Sequence, residues 1–248
     1  MIVKEKLTEG GHWYTTTGEP AYTTIGANGY ERNTTLRDAR KLGLIPSVTT
    51  INNMLAKAGL NSWLQQQVLL AALTLPRLPN EPEEDWLKRV MSDSKATGRD
   101  AAERGTKIHA IVQSHFEGSY HIEPPLYLAN TEKALKDAFG EQQWIAEKSF
   151  AHPFGYGGKC DLMSPNNIVV DFKTKDTSLE KVDVYFEHEM QLAAYREGLG
   201  MPSARCAIVF INGTTNEVKL IEVTDSALNK AWECFEHLLR VYQIKNGL

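Results

Sequence analysis

The sequence predicts an α/β protein of mixed α+β character: a central mixed sheet covered by helices, preceded by an N-terminal β and helical extension. Two observations predict this. Apolar runs of strand length, bounded by turn residues, cluster between about residues 144 and 223, and stretches of helical periodicity stand before, between and after them. The first three runs are joined by short turns, whereas the fourth is reached through a helical stretch. A meander followed by a helical crossover makes a sheet with both antiparallel and parallel neighbours.

In chain order, residues 12–33 read as irregular β-structure with turns at Gly18-Glu19-Pro20 and from Gly26 to Gly29. Ser47, just after Pro46, is an N-cap opening a helix over 48–57. Asn61 or Ser62 caps a second helix to about Leu75, and the proline-rich stretch 76–82 is a rigid linker. Residues 83–116 are helical with a bend near Gly98; Pro124-Pro125 interrupts, and 127–139 form another helix. Strands follow over 144–151, 155–163 and 167–174, then a helix over 182–199. Strands 205–211 and 217–223 are joined through Asn212-Gly213, and Ser226 opens a last helix to about Ile244. The expected division is an N-terminal extension or lid over 1–95 and a core over 96–248, together one compact unit.

Composition narrows the class. A hydrophobic share of 42% with 23% charged residues is that of a soluble globular chain. At 248 residues the core needs no cross-links. No run approaches a membrane span, and residues 1–6 lack the apolar segment of a secretion signal. With only Cys160, Cys206 and Cys234, the expectation is a cytoplasmic protein, bacterial or in a phage-infected host, without a membrane partner. A net charge of −4 excludes a surface coated in basic residues but leaves room for a local basic groove. Lys95, Arg99, Arg104 and Lys107 form one basic cluster, and Lys159, Lys173 and Lys175 another; a solvated face is the alternative for either.

The chemistry concentrates in Asp161, Asp171 and Lys173. Asp161 ends Gly157-Gly158-Lys159-Cys160-Asp161, and Asp171-Phe172-Lys173 closes the apolar run Ile168-Val169-Val170. Strand side chains alternate, so Asp171 and Lys173 share a face and Phe172 takes the other. Charged groups at the end of an apolar run are costly to bury without partners. A magnesium or manganese ion between the two acids would be such a partner, with the lysine beside a water and a phosphate. By itself, an Asp-x-Lys triplet more often marks a strand leaving the core.

Other residues converge on the triplet. Ala101, Ala102, Gly105, Ile108, His109 and Val112 recur at helical spacing, so His109 faces inward, either as a core histidine or as a metal-site imidazole. Gln191 and Tyr195 share a helix face, as a solvated pair or as groups aimed at the lysine or a nucleic-acid backbone. Glu147 precedes the first acid strand, as an exposed strand residue or an acid behind the metal site. Tyr22, Tyr30, Trp63 and Trp86 are core aromatics or platforms for unpaired bases.

The ordered series Gly-Thr-x-x-His, Gly-Gly-x-x-Asp, Asp-x-Lys and Gln-x-x-x-Tyr resembles the RecB-type branch of the PD-(D/E)xK nuclease superfamily. That branch includes mitochondrial genome maintenance exonuclease, cluster-bearing CRISPR adaptation nucleases and many phage exonucleases; the segment 35–51 also resembles its phage members. The resemblance implies a restriction-endonuclease-like αβββαβ core and a metal-dependent DNA exonuclease acting on ends or single strands, in phage or bacterial recombination, repair or turnover. It implies that His109, Asp161, Asp171 and the carbonyl of Phe172 hold magnesium or manganese, with Asp161, Asp171 and Lys173 catalytic. Gln191 and Tyr195 would support the motif, Arg104 and Lys107 would contact nucleic acid, and Glu147 would stand behind the metal. The three cysteines lie in apolar patterns, against four in the cluster-bearing relatives, so no iron–sulfur cluster is expected. A structure-specific endonuclease or a non-catalytic nucleic-acid binding module are the alternative functions.

Overall fold

A computed structural model describes residues 11–119 and 122–248; the expectation for residues 1–6 lies outside them. The chain divides into two compact units. Residues up to Met54 together with Val112–Leu248 form one, and Leu55–Ile111 form the other.

The first unit opens with β1 (Trp13–Tyr14), β2 (Thr23–Ile25), β3 (Glu31–Asn33), α1 (Leu36–Leu42), β4 (Ile45–Pro46) and α2 (Val48–Asn52). In the second unit, α3 (Ala58–Thr74) and α4 (Glu83–Ser94) pack together, and α5 (Ala96–Phe116) begins there and ends in the first. The first unit resumes with α6 (Leu126–Phe139), β5 (Ile145–His152), β6 (Tyr156–Ser164), β7 (Ile168–Thr174), α7 (Phe186–Gly198), β8 (Arg205–Ile211), β9 (Val218–Val223) and α8 (Asp225–Asn246).

The central sheet is mixed and runs β5-β6-β7-β8-β9. Only the β7–β8 pair is parallel, as the crossover through α7 requires. After exposed Arg205, β8 reads Cys206-Ala207-Ile208-Val209-Phe210-Ile211 and is buried, because helices cover both of its faces. α6 packs against β8 and β9; α7 packs across β5 to β8 and is backed by α8. β1 and β4 pair and lie against β6, where Ser47 bridges to Gly157.

Several element boundaries differ from those the sequence predicts. α1 was not expected. Thr35 and Asp38 form a capping box and Gly43 closes the helix in the left-handed conformation, so Thr-x-x-Asp followed by glycine was the readable sign. Ser47 caps α2 as expected, but the helix ends at Asn52 instead of residue 57, where the chain leaves the first unit. α3 starts at Ala58, not at Asn61 or Ser62: the Asn61 N–H already donates to the Lys57 carbonyl, so the ladder is running before that residue. The helical stretch 83–116 breaks at Lys95, not Gly98, after the Ser94 hydroxyl takes the Met91 carbonyl. α7 begins four residues late because Lys219 donates to the carbonyls of Leu179, Glu180 and Val182 at 3.1–3.2 Å and holds that loop out of the helix. α8 is capped by Thr224 and begins at Asp225, ahead of Ser226.

Three glycines set how closely the layers approach. A Cβ on Gly157 would lie 2.7 Å from the Tyr14 Cβ, and one on Gly158 would lie 2.7 Å from Phe150 Cζ and 3.1 Å from Tyr195 Cε1. A Cβ on Gly198 would overlap the Phe150 ring. The Gly-Gly step therefore lets Tyr14, Phe150 and Tyr195 close over β6. Gly198→Ala is expected to destabilise the protein by about 1–3 kcal/mol through overpacking. Denaturant unfolding tests this, and an unchanged midpoint would show that Phe150 has room to move.

Candidate active site

The site starts from a defect in the sheet. β6 and β7 pair from Ser164↔Ile168 to Leu162↔Val170 and then part. One step further in the same register, Asp161 faces Asp171. There Asp161 replaces the missing ladder bond with its side chain: Oδ2 accepts the Phe172 N–H at 2.7 Å. Alternation turns Phe172 to the opposite face, where it stacks on Phe116 with ring centroids 6.3 Å apart. It turns Asp171 and Lys173 to the acid face.

Asp171 is 1% exposed, and its Oδ2 has no hydrogen-bond partner of adequate geometry. The Lys173 ammonium nonetheless lies 2.6 Å from that oxygen. That contact is a close ion pair, while the well-aimed Lys173 hydrogen bond goes to Gln191 Oε1 at 2.9 Å. Gln191 Nε2 in turn donates to the Tyr195 hydroxyl at 2.8 Å, one helical turn on. Tyr195 is itself fixed by its edge contact with Phe150. A packed aromatic thus sets an amide, and the amide sets the lysine.

The electrostatics follow from this crowding. Burial, and then the charge of Asp171, pushes the Asp161 carboxyl well above the usual carboxylate range. Burial pulls Lys173 down, but Asp171 and Asp161 more than offset it, so its ammonium is held charged. Burial and then the two acids raise Tyr195, so its phenol stays protonated. Two acids therefore share one ammonium in a half-closed site. Hard oxygen donors with one buried oxygen lacking a hydrogen bond fit a magnesium- or manganese-like ion, which binds through one or two carboxylates and otherwise keeps water or phosphate oxygens. Among the described residues, no three His, Cys, Asp or Glu side chains stand together as a ready ligand cage.

Of the residues the sequence singles out, Asp161, Asp171, Phe172, Lys173, Gln191 and Tyr195 come together in the sheet unit. Glu147, on β5, stands opposite Asp161 of β6 and forms an ion pair with Lys159. Lys175 lies over the Tyr185 ring, 5.2 Å from its centroid. Arg104, Lys107 and His109 lie on α5 within the other unit, His109 half-buried and the two cations exposed. Tyr30 is 74% exposed, while the Trp86 indole donates to the Leu75 carbonyl. Among the described residues, no helix is long and apolar enough to cross a membrane.

His188 belongs to the site and was not singled out. It stands three residues before Gln191 on α7, and that spacing was the available sign. Its Nδ1 accepts the Tyr185 N–H at 3.4 Å. Burial, and then Lys173, lowers its pKa from 6.5 to about 4.

No family profile and no curated protein matches the chain. Among solved structures it is similar to an alkaline exonuclease (LHK-Exo) from Laribacter hongkongensis, at 11% identity and a TM-score of 0.43 over 81% of this chain and 89% of that one. The same enzyme in complex with dAMP matches at 12% identity and a TM-score of 0.42, again over 81% and 89%. A protein designated an exonuclease, from Eubacterium rectale, matches at 20% identity and a TM-score of 0.39 over 58% of this chain and 68% of that one. At such distances the chemistry has to come from this chain's own residues.

The low pKa of His188 makes stability depend on pH. The unfolded chain takes up a proton near pH 6.5 and the folded chain only near 4, so this contribution is whole above 6.5 and is lost as pH falls toward 4. Thermal unfolding from pH 7 to pH 4 should therefore decline less steeply in His188→Gln than in the wild type. An equal or steeper decline in the variant would count against this assignment.

Proposed function

We propose that this chain is a metal-dependent deoxyribonuclease of the RecB-type PD-(D/E)xK kind, acting as an exonuclease on DNA ends or single strands. The observation that carries this reading is the buried Asp171, its Oδ2 without a hydrogen bond, set opposite Asp161 and beside a lysine aimed by Gln191 and Tyr195. A degenerate binding module has no need to keep such a set. A site that only bound metal would lose affinity through Lys173.

Asp161 and Asp171 would hold magnesium or manganese together with the carbonyl of Phe172, and His109 is the further ligand that the family resemblance implies. When bound, the ion supplies an acidified water and charge for the scissile phosphate. Asp161 keeps its carboxylate in place through the Phe172 N–H. Lys173 presents a compact positive charge where negative charge grows on the phosphate oxygens, and orients the attacking water. Gln191 and Tyr195 keep the ammonium there when Asp171 turns to another cation. His188, neutral above about pH 4, adds no competing positive charge beside Lys173. A role in phage or bacterial DNA recombination, repair or turnover in the cytoplasm fits this chemistry.

End-labelled linear and circular DNA, single- and double-stranded, incubated with magnesium or manganese, tests the proposal. Laddered loss of linear DNA is expected, with none in chelator and none with Lys173→Ala. Circular dichroism of the variant checks that its fold is kept. Nicking of circles would replace the exonuclease with an endonuclease, and wild-type cleavage by Lys173→Ala would remove the catalytic assignment. Separately from turnover, manganese should raise the melting temperature of the wild type and leave that of Asp171→Asn unmoved. An equal rise in both would place the ion elsewhere.

A further inference from the structure

A second polar cluster adjoins the acid pair, and the hydrolytic steps above do not use it. It begins with Glu147. Within β5 this residue has φ +53°, a left-handed conformation that a non-glycine residue rarely adopts inside a strand. The pairings Ala146↔Leu162 and Lys148↔Cys160 bracket it, so it stands opposite Asp161 without a ladder pairing of its own. The carboxylate reaches Lys159 and forms an ion pair with 19% and 33% of the two side chains exposed. Lys159 is two residues from Asp161 on β6 and shares its face. Both are half-buried in a strand that is otherwise buried.

Two residues further back, the Tyr14 side chain lies directly over Gly157. The Tyr14 hydroxyl shares a 2.6 Å hydrogen bond with that of Tyr22, and the two rings meet edge to face at 5.6 Å. Tyr22 is half-buried, and its ring pairs with exposed His12 at 4.7 Å and 31°. Along one face of β6 the order is therefore carboxylate, ammonium and aromatic pair, at the two-residue step of a strand.

We infer that Lys159 and the Tyr22–His12 ring pair form a subsite for the nucleotide next to the scissile bond, Lys159 taking its phosphate and the rings its base. Ring stacking accepts every base, so the occupant is an unpaired nucleotide of any sequence. Glu147 holds the ammonium in place while the subsite is empty. A partly exposed ion pair is weak, so an arriving phosphate displaces the carboxylate readily. The subsite rests on the hydrolytic function proposed above for its neighbouring phosphate, but its own binding is measured apart from turnover.

The test is fluorescence anisotropy of a short dye-labelled oligothymidine, in chelator, at several salt concentrations. Lys159→Met should weaken binding by about tenfold and flatten the salt dependence by roughly one phosphate contact, and Lys159→Arg should restore most of both. Tyr22→Ala should weaken binding by about tenfold, whereas Tyr22→Phe, which keeps the ring, should bind within about twofold of the wild type. In turnover with magnesium, Lys159→Met should raise KM and leave kcat largely unchanged. If wild type degrades DNA while Lys159→Met and Tyr22→Ala bind and cleave as it does, the subsite is wrong and the nuclease stands. Lys159-dependent binding without cleavage by wild type would keep the subsite and overturn the nuclease. A wild type that neither binds nor cleaves overturns both. Should Lys159→Met fail to fold by circular dichroism, Lys159→Arg and the Tyr22 pair carry the test.

Discussion

Two carboxylates forced together where β6 and β7 part are the constraint on which the rest of this protein depends. Burial, and then the charge of Asp171, holds the Asp161 carboxyl well above the usual carboxylate range. The structure answers with three devices: a backbone N–H for Asp161, an ammonium for Asp171, and a helix that holds the ammonium through an amide and a phenol. One carboxylate oxygen is left without a hydrogen bond. With no hydrogen bond of its own, that oxygen has the Lys173 ammonium as its charge partner.

The scaffold explains why this arrangement is rigid. β7 and β8 are parallel, so the chain must cross over between them, and α7 is the crossover. The helix that makes the sheet mixed therefore also carries His188, Gln191 and Tyr195 to the lysine. Gly158 and Gly198 let Phe150 wedge between β6 and α7, and Phe150 fixes Tyr195. Gly157 admits Tyr14 to the same strand, which attaches the N-terminal segment beside the acids. Lys219, reaching three carbonyls of the loop after β7, keeps the crossover from starting early. Side chains far apart in sequence thus share one face because three glycines allow three layers to touch.

Much of this was legible in the chain. The strands and the mixed sheet followed from apolar run length and turn residues, since these are local properties with a fixed period. The Asp171–Lys173 face followed from strand alternation, and the Gln191–Tyr195 pair from helical spacing. Helix ends were read less well, because they are set by hydrogen bonds from elsewhere: Asn61 was already inside a helix, and the start of α7 was decided by Lys219 on β9. α1 was missed although Thr35, Asp38 and Gly43 spelled out both of its caps.

What the sequence by itself determined is the set of chemical groups and the faces on which neighbouring residues point, because backbone geometry dictates both. Only the tertiary structure decided which faces meet. It placed Asp161 against the Phe172 N–H, aimed Lys173 through Gln191, set His188 where the charge of Lys173 reaches it, and turned Glu147 toward Lys159 through a left-handed backbone. These depend on strand register, on the splay between β6 and β7 and on glycine-limited packing. Such contacts join residues on different elements, and no local period in the sequence encodes them.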